Sequence, residues 1–156
     1  MTPVVLVADD EPSVRFMLRE ILESADIEVH DVSDGLNAMR WLQDHHADLL
    51  ITDLQMPGMD GMHLLEQLKD APLSPRTLVI TAHGSERHAV QAMKLGAYDY
   101  LTKPFHVDEV LQVVERAVAA VRSMQENEQL RADLNLSRHM VFSSDAMRRV
   151  ALLVLR

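Results

Sequence analysis

Short, unbroken apolar runs alternate along this chain with longer stretches whose apolar residues recur every three or four positions. That alternation decides the fold class. Val4-Val5-Leu6-Val7-Ala8 has no polar member, so a strand built from it needs cover on both faces. Pro12 suits a first helical turn, and Val14, Met17, Leu18, Ile21 and Leu22 follow at helical spacing. Ile27 to Val32 reads as a second strand, and Asp34-Gly35 turns the chain into a helix carrying Leu36, Met39 and Leu42. Asp48 to Asp53 is a third strand. After the turn Met56-Pro57-Gly58-Met59, Asp60 is placed to cap a helix through about Lys69. Ala71 to Pro75 holds two prolines and reads as a loop, and Thr77 to Thr81 is a fourth strand. A helix from about Ser85 to Leu95 stops at Gly96, Ala97 to Leu101 is a short fifth strand, and a long helix starts near Val107 after Lys103-Pro104.

Five strands alternating with five helices predict an α/β fold, a doubly wound parallel sheet with helices on both faces. In such sheets ligands sit beyond the carboxyl ends of the strands, where the strand order switches direction. The last helix is expected to extend past the domain. Val107, Val110, Val114, Ala117, Val121 and Met124 keep three-and-four spacing, the pattern returns at Leu130 and Leu134, and no glycine or proline follows Phe105. A stripe that outlasts the sheet asks for a partner helix, so a homodimer with a parallel coiled coil is expected.

Composition removes several function classes. There is no cysteine, which excludes disulfides, thiolate zinc sites and cysteine nucleophiles. A net charge of -9 opposes binding to phosphate backbones, so no nucleic-acid partner is expected for this fragment. No apolar stretch approaches the roughly 20 residues that span a bilayer. No membrane association and a cytoplasmic location are expected. The eight histidines show no chelating pattern.

The chemistry gathers at the carboxyl ends of the strands. Strand one delivers Asp9, Asp10 and Glu11, strand three Asp53, strand four Thr81, and Lys103 follows strand five. Crowded carboxylates repel, and some protonate unless a cation intervenes. A hard divalent ion such as Mg²⁺, or Mn²⁺ in its place, resolves the crowding with oxygen ligands, and Lys103 adds a fixed charge. An aspartate, a hydrated metal, a lysine and a hydroxyl make a site competent for phosphoryl transfer. Each residue also has an ordinary reading. Acids before a helix favour its dipole, Asp53 could initiate a turn, and a lysine before proline is commonly a solvated loop residue. It is their joint occurrence, in order and at one sheet edge, that points to a site.

Four segments, Val7-Ala8-Asp9-Asp10-Glu11, Asp53 with Met56-Pro57-Gly58-Met59-Asp60-Gly61, Ile80-Thr81-Ala82 and Lys103-Pro104-Phe105, resemble the receiver family of two-component response regulators. The likeness runs from about residue 3 to 121. It implies a flavodoxin-like strand order of 2-1-3-4-5 and phosphorylation of Asp53 by a sensor histidine kinase. It also implies Mg²⁺ held by Asp10, Asp53 and the Gln55 backbone carbonyl, with Asp9 acting through water. Lys103 and Thr81 would stabilise the phosphoryl group, and the Lys103-Pro104 bond would be cis. Thr81 and Tyr100 would form the switch, and Gln55 and His83 would tune hydrolysis. For Tyr100 the alternative is a half-buried aromatic of its strand. Glu11 matches a variable position and is left outside the site. The dimer would form through the face of helix four, strand five and helix five, together with the linker helix.

Ser144-Asp145-Ala146-Met147-Arg148-Arg149-Val150 is similar to the opening of the AAA+ ATPase domain in sigma-54-dependent activators of the nitrogen-regulation type, with Phe142 where a glycine is usual. The expected organisation is a receiver over 1–121, a helical linker over 122–141 and the start of a truncated ATPase domain over 142–156. The expected role is a signalling switch acting on a separate transcriptional output, not an enzyme on external substrates. The rivals are a metal-dependent phosphatase, which usually needs an acid at the position of Gln55, and a stand-alone or degenerate receiver used for interaction.

Overall fold

The computed structural model describes residues 2–71, 74–82 and 86–154; for Glu86 and residues 137–154 it describes the backbone alone. The elements follow in the order β1 (Val4–Ala8), α1 (Pro12–Glu23), β2 (Glu28–Val32), α2 (Gly35–Asp44), β3 (Leu49–Asp53), α3 (Gly61–Lys69), β4 (Arg76–Ala82), α4 (Glu86–Lys94), β5 (Asp99–Lys103) and α5 (Val107–Val154). All strand pairs are parallel, in the order β2-β1-β3-β4-β5. The doubly wound sheet is the one the alternating pattern predicts, and its flavodoxin-like order is the one the family resemblance implies. The order reverses between β1 and β3, which places a crevice at their carboxyl ends.

The period of two along each strand divides the core. Val5 and Val7 of β1 and Leu49 and Ile51 of β3 face Leu18, Leu22, Val110 and Val114 of α1 and α5. Leu6, Ala8 and Leu50 face the opposite way, onto Ala38, Leu64 and Leu68. A third cluster joins Leu54, Leu65, Val79 and Ala92. Most of these side chains, among them Leu6, Leu50 and Val114, are completely buried or nearly so, and each large aliphatic contributes roughly 1.5–3 kcal/mol.

Local signals set the helix ends. Asp34 accepts a hydrogen bond from the Asn37 amide and Asp60 one from the His63 amide, so both helices begin where an aspartate satisfies a free N–H. Gly96, with φ of +100°, ends α4 in the left-handed conformation. The fifth strand lies two residues later than its apolar run suggests, at Asp99–Lys103 rather than 97–101. The Ala97 amide still donates to the Ala92 carbonyl, so the helix end occupies that stretch and pairing starts beyond it. Lys103 thereby becomes the last residue of β5.

Contacts divide the chain into units Met1–Ala119 and Ala120–Arg156. In the first, Val110, Val114 and Ala117 of α5 are fully buried. In the second, the helix exposes Met124, Leu130, Leu134 and Leu136. The side chains of Ser144 to Val150 lie outside the described residues. Among the described residues no helix is long and apolar enough to cross a membrane.

An acidic pocket at the carboxyl edge of the sheet

Register brings the site together. Ala8 is level with Val32 and Thr52, Asp53 with Ile80, and Ala82 with Lys103. The residues ending β1, β3, β4 and β5 therefore reach one edge. Asp9 and Asp53 are buried there, while Asp10 and Glu11 are exposed. One carboxylate oxygen from each of Asp9, Asp10, Glu11 and Asp53 lies within 4.8 Å of the others.

Lys103 reaches into this group. Its Nζ donates to Asp53 Oδ2 at 2.9 Å and to Asp9 Oδ2 at 3.0 Å, and lies 3.5 Å from Glu11 Oε1. Burial disfavours the charged lysine, but the hydrogen bonds to Asp53 and Asp9 outweigh it and hold the ammonium well above its ordinary pKa. Burial pushes Asp9 up from the usual carboxylate value, against the Glu11 amide and Lys103, which favour its ionised form. Asp53 is fixed from two sides, since its Oδ1 also accepts from the Gln55 amide at 3.0 Å. The Lys103-Pro104 peptide bond is cis.

Four carboxylates share this corner with one ammonium group. An all-oxygen donor set with surplus negative charge suits a hard divalent cation and offers nothing to a soft one. The pocket residues thus fit a magnesium ion by their chemistry.

The expected residues meet unequally. Asp9, Asp10, Asp53 and Lys103 come together, and the Gln55 backbone lies beside them, lining with Asp10 and Asp60 a cavity at the open side. Thr81 is buried, but its hydroxyl bonds to the Ala82 carbonyl at 3.3 Å rather than to the pocket. Tyr100 is 43% exposed, beside Val90 and Met93 of α4. His83 lies outside the described residues. Glu11, left outside the site on sequence grounds, belongs to the acidic group. The signal was available, because a third consecutive acid at the N-terminus of α1 stays close to the other two.

A doubly wound sheet with buried acids at its switch point, bridged by a lysine from the last strand, defines the class of phosphoacceptor signalling domains. The chain belongs to the family described as the response regulator receiver domain, which matches residues 5–115. It is 38% identical over 124 residues to the DNA-binding transcriptional regulator NtrC of Escherichia coli K12, an alignment covering 79% of this chain and 26% of that protein. The receiver domain of the Francisella response regulator 1452 superposes with a TM-score of 0.72 at 29% identity, covering 76% of this chain and 98% of that one. NtrX from Brucella abortus, solved in complex with ADP, gives 0.77 at 31% identity, covering 83% and 30%. The chain thus spans about a quarter of the length of the NtrC it matches.

Proposed function

We propose that Asp53 accepts a phosphoryl group from a phosphohistidine of a sensor kinase, and that the exchange drives a dimeric switch. The observation that carries this is the Lys103 ammonium held between Asp53 and Asp9 in a pocket of four carboxylates. In the transfer a carboxylate oxygen of Asp53 attacks phosphorus, the phosphorus–nitrogen bond breaks, and the electron pair leaves with the imidazole. Lys103 offsets charge on the equatorial oxygens, as electrostatic stabilisation of this transfer requires. Magnesium, held by Asp10, Asp53 and the Gln55 carbonyl with Asp9 acting through water, supplies further charge neutralisation when bound. Gln55 and His83 tune the hydrolysis of the phosphoryl group. The chain catalyses its own phosphorylation and dephosphorylation and no reaction on external substrates.

The phosphoryl group adds about -1.5 to -2 charge and three strong acceptors. The Thr81 hydroxyl, now on the Ala82 carbonyl, turns to donate to one of them, and Tyr100 moves inward into the space it leaves. The bistable element is the face of α4, β5 and α5, whose exposed Val90, Met93 and Tyr100 support a dimer contact. Exposed Met124, Leu130 and Leu134 support a second contact through the linker helix over 122–141. The likeness to NtrC and to ADP-bound NtrX supports an output comprising a sigma-54-dependent ATPase and a DNA-binding domain, with residues 142–156 opening the ATPase. A cytoplasmic location follows from that role.

The test is acetyl phosphate with magnesium, followed by mass spectrometry of the intact chain and its peptides. One phosphoryl adduct is expected, on Asp53, absent from Asp53→Asn and accompanied by a change in association state. Steady hydrolysis of a phosphomonoester without an adduct would overturn the reading in favour of a phosphatase.

A further inference from the structure

Arg15, in the second turn of α1, takes no direct part in the carboxylate pocket. Its Nη1 donates to the backbone carbonyl of Asp9 at 2.7 Å, and its Nε donates to Asp31 Oδ2 at 3.1 Å. Asp31, in β2, is held in turn by Arg19 through its other oxygen. The Asp9 carbonyl belongs to the peptide that joins Asp9 to Asp10. The plane of that peptide sets the last dihedral of Asp9 and the first of Asp10, and with them the direction in which the Asp10 side chain leaves the chain. The strand ends at Ala8, and beyond it the Asp9 amide still reaches the Val32 carbonyl. The carbonyl on the far side of Asp9 has no strand to bond to. The guanidinium supplies that hold, and its planar fork reaches the carbonyl and Asp31 together.

We infer that Arg15 is a positioning residue of the pocket, fixing the Asp9–Asp10 peptide so that both carboxylates meet one cation. The inference rests on the reading of the pocket as a magnesium site. Its partner Asp31 leaves the pair nearly neutral, so the effect is one of orientation rather than added charge. Arg19 is the internal control. It sits one helical turn along, pairs with the same Asp31 and with Glu23 at 3.0 Å, and makes no bond to Asp9.

The test compares wild type, Arg15→Ala, Arg15→Lys and Arg19→Ala in the 156-residue chain. Magnesium affinity is measured by calorimetry, and the amide resonances of Asp10 and Glu11 are recorded without metal, both on protein shown to be folded. Groups that orient ligands change metal affinity by about 10–100-fold, so Arg15→Ala is expected to bind magnesium at least about tenfold more weakly. Its two amide resonances should move, Arg15→Lys should recover part of the affinity, and Arg19→Ala should match wild type in both measurements. Equal losses in Arg15→Ala and Arg19→Ala, or none in either, would overturn the inference. Should Arg15→Ala fail to fold, Arg15→Lys against Arg19→Ala decides on the same criteria. Should wild type itself bind no magnesium, the reading of the site fails, and the metal-free resonances still decide whether Arg15 orients the peptide.

Discussion

The Lys103 ammonium lies 2.9 Å from Asp53 Oδ2 although fifty positions separate the two residues. Their side chains are 12% and 8% exposed. The pair joins the end of β3 to the end of β5, and Asp9 on the same ammonium adds the end of β1. Strand ends that carry like charges are thus tied by one cation.

Removing that cation should be costly. Lys103→Ala leaves Asp9 and Asp53 facing each other with little water. Breaking a buried ion pair from one side costs about 3–5 kcal/mol, and the lower end is expected here because protonation relieves part of the repulsion. Urea unfolding followed by circular dichroism measures it. Millimolar magnesium should recover more stability in Lys103→Ala than in wild type, since the ion replaces the lost charge. Phosphorylation by acetyl phosphate should slow by about 10²–10³, the usual effect of deleting one group that stabilises transition-state charge.

What the sequence makes legible follows from how each residue is placed. Asp9 and Asp53 are fixed by where apolar runs stop, and once the sheet is parallel those stops share an edge, to which Lys103 is brought by following the fifth run closely. Asp60 and Gly96 act within a few residues of themselves, so their capping roles can also be read locally. The Arg15 contact with Asp9 is different, because it depends on how α1 is rotated over the sheet, which spacing alone leaves open. The position of β5 is similar. Ala97 and Tyr98 look like strand residues, yet the closing turn of α4 reaches Ala97, and Tyr98 packs on the main core with Arg76 over its ring.

Gly61 tests how tightly the end of β3 at Asp53 is held. A Cβ there would stand 2.2 Å from the Asp53 carbonyl oxygen and 2.8 Å from Leu54 Cα, and backbone atoms cannot swing aside as a flexible side chain can. Gly61→Ala should cost about 1–3 kcal/mol, as overpacking does, and should weaken magnesium binding by moving Asp53. Gly58→Ala is the contrast. Its added carbon meets nothing within 4 Å, but φ is +73°, so a loss of roughly 1–2 kcal/mol should come with unchanged magnesium affinity. Thermal melts with and without magnesium separate the two.

Magnesium should stabilise the folded chain, because the unfolded chain cannot gather Asp9, Asp10 and Asp53. At a hundredfold excess over the dissociation constant the gain is about 2.7 kcal/mol. Asp10→Asn should abolish most of it. Removing one charge from the crowded edge should also leave the metal-free variant as stable as wild type or more so. Chelation by EDTA should lower the wild-type melting temperature and leave that of Asp10→Asn unmoved. A variant that kept the full metal-dependent gain would remove Asp10 from the ligand set.

The Asp31 cluster gives an acid-side prediction separate from the pocket. Burial alone would raise the Asp31 carboxyl, but hydrogen bonds and charge from Arg19 and Arg15 hold it below the ordinary value of 3.8. A carboxyl with a depressed folded-state pKa binds fewer protons in the folded chain than in the unfolded one. Its stabilisation is therefore complete above 3.8 and disappears as the pH falls through the lower, folded-state value. Asp31→Asn keeps the shape and loses the charge, so it should be less stable than wild type at pH 7. The gap should stay constant down to the free carboxylate range and then close on further acidification. Urea midpoints of both proteins across that range measure it. A gap that widened toward acid would mean that Asp31 is not held ionised by the two arginines.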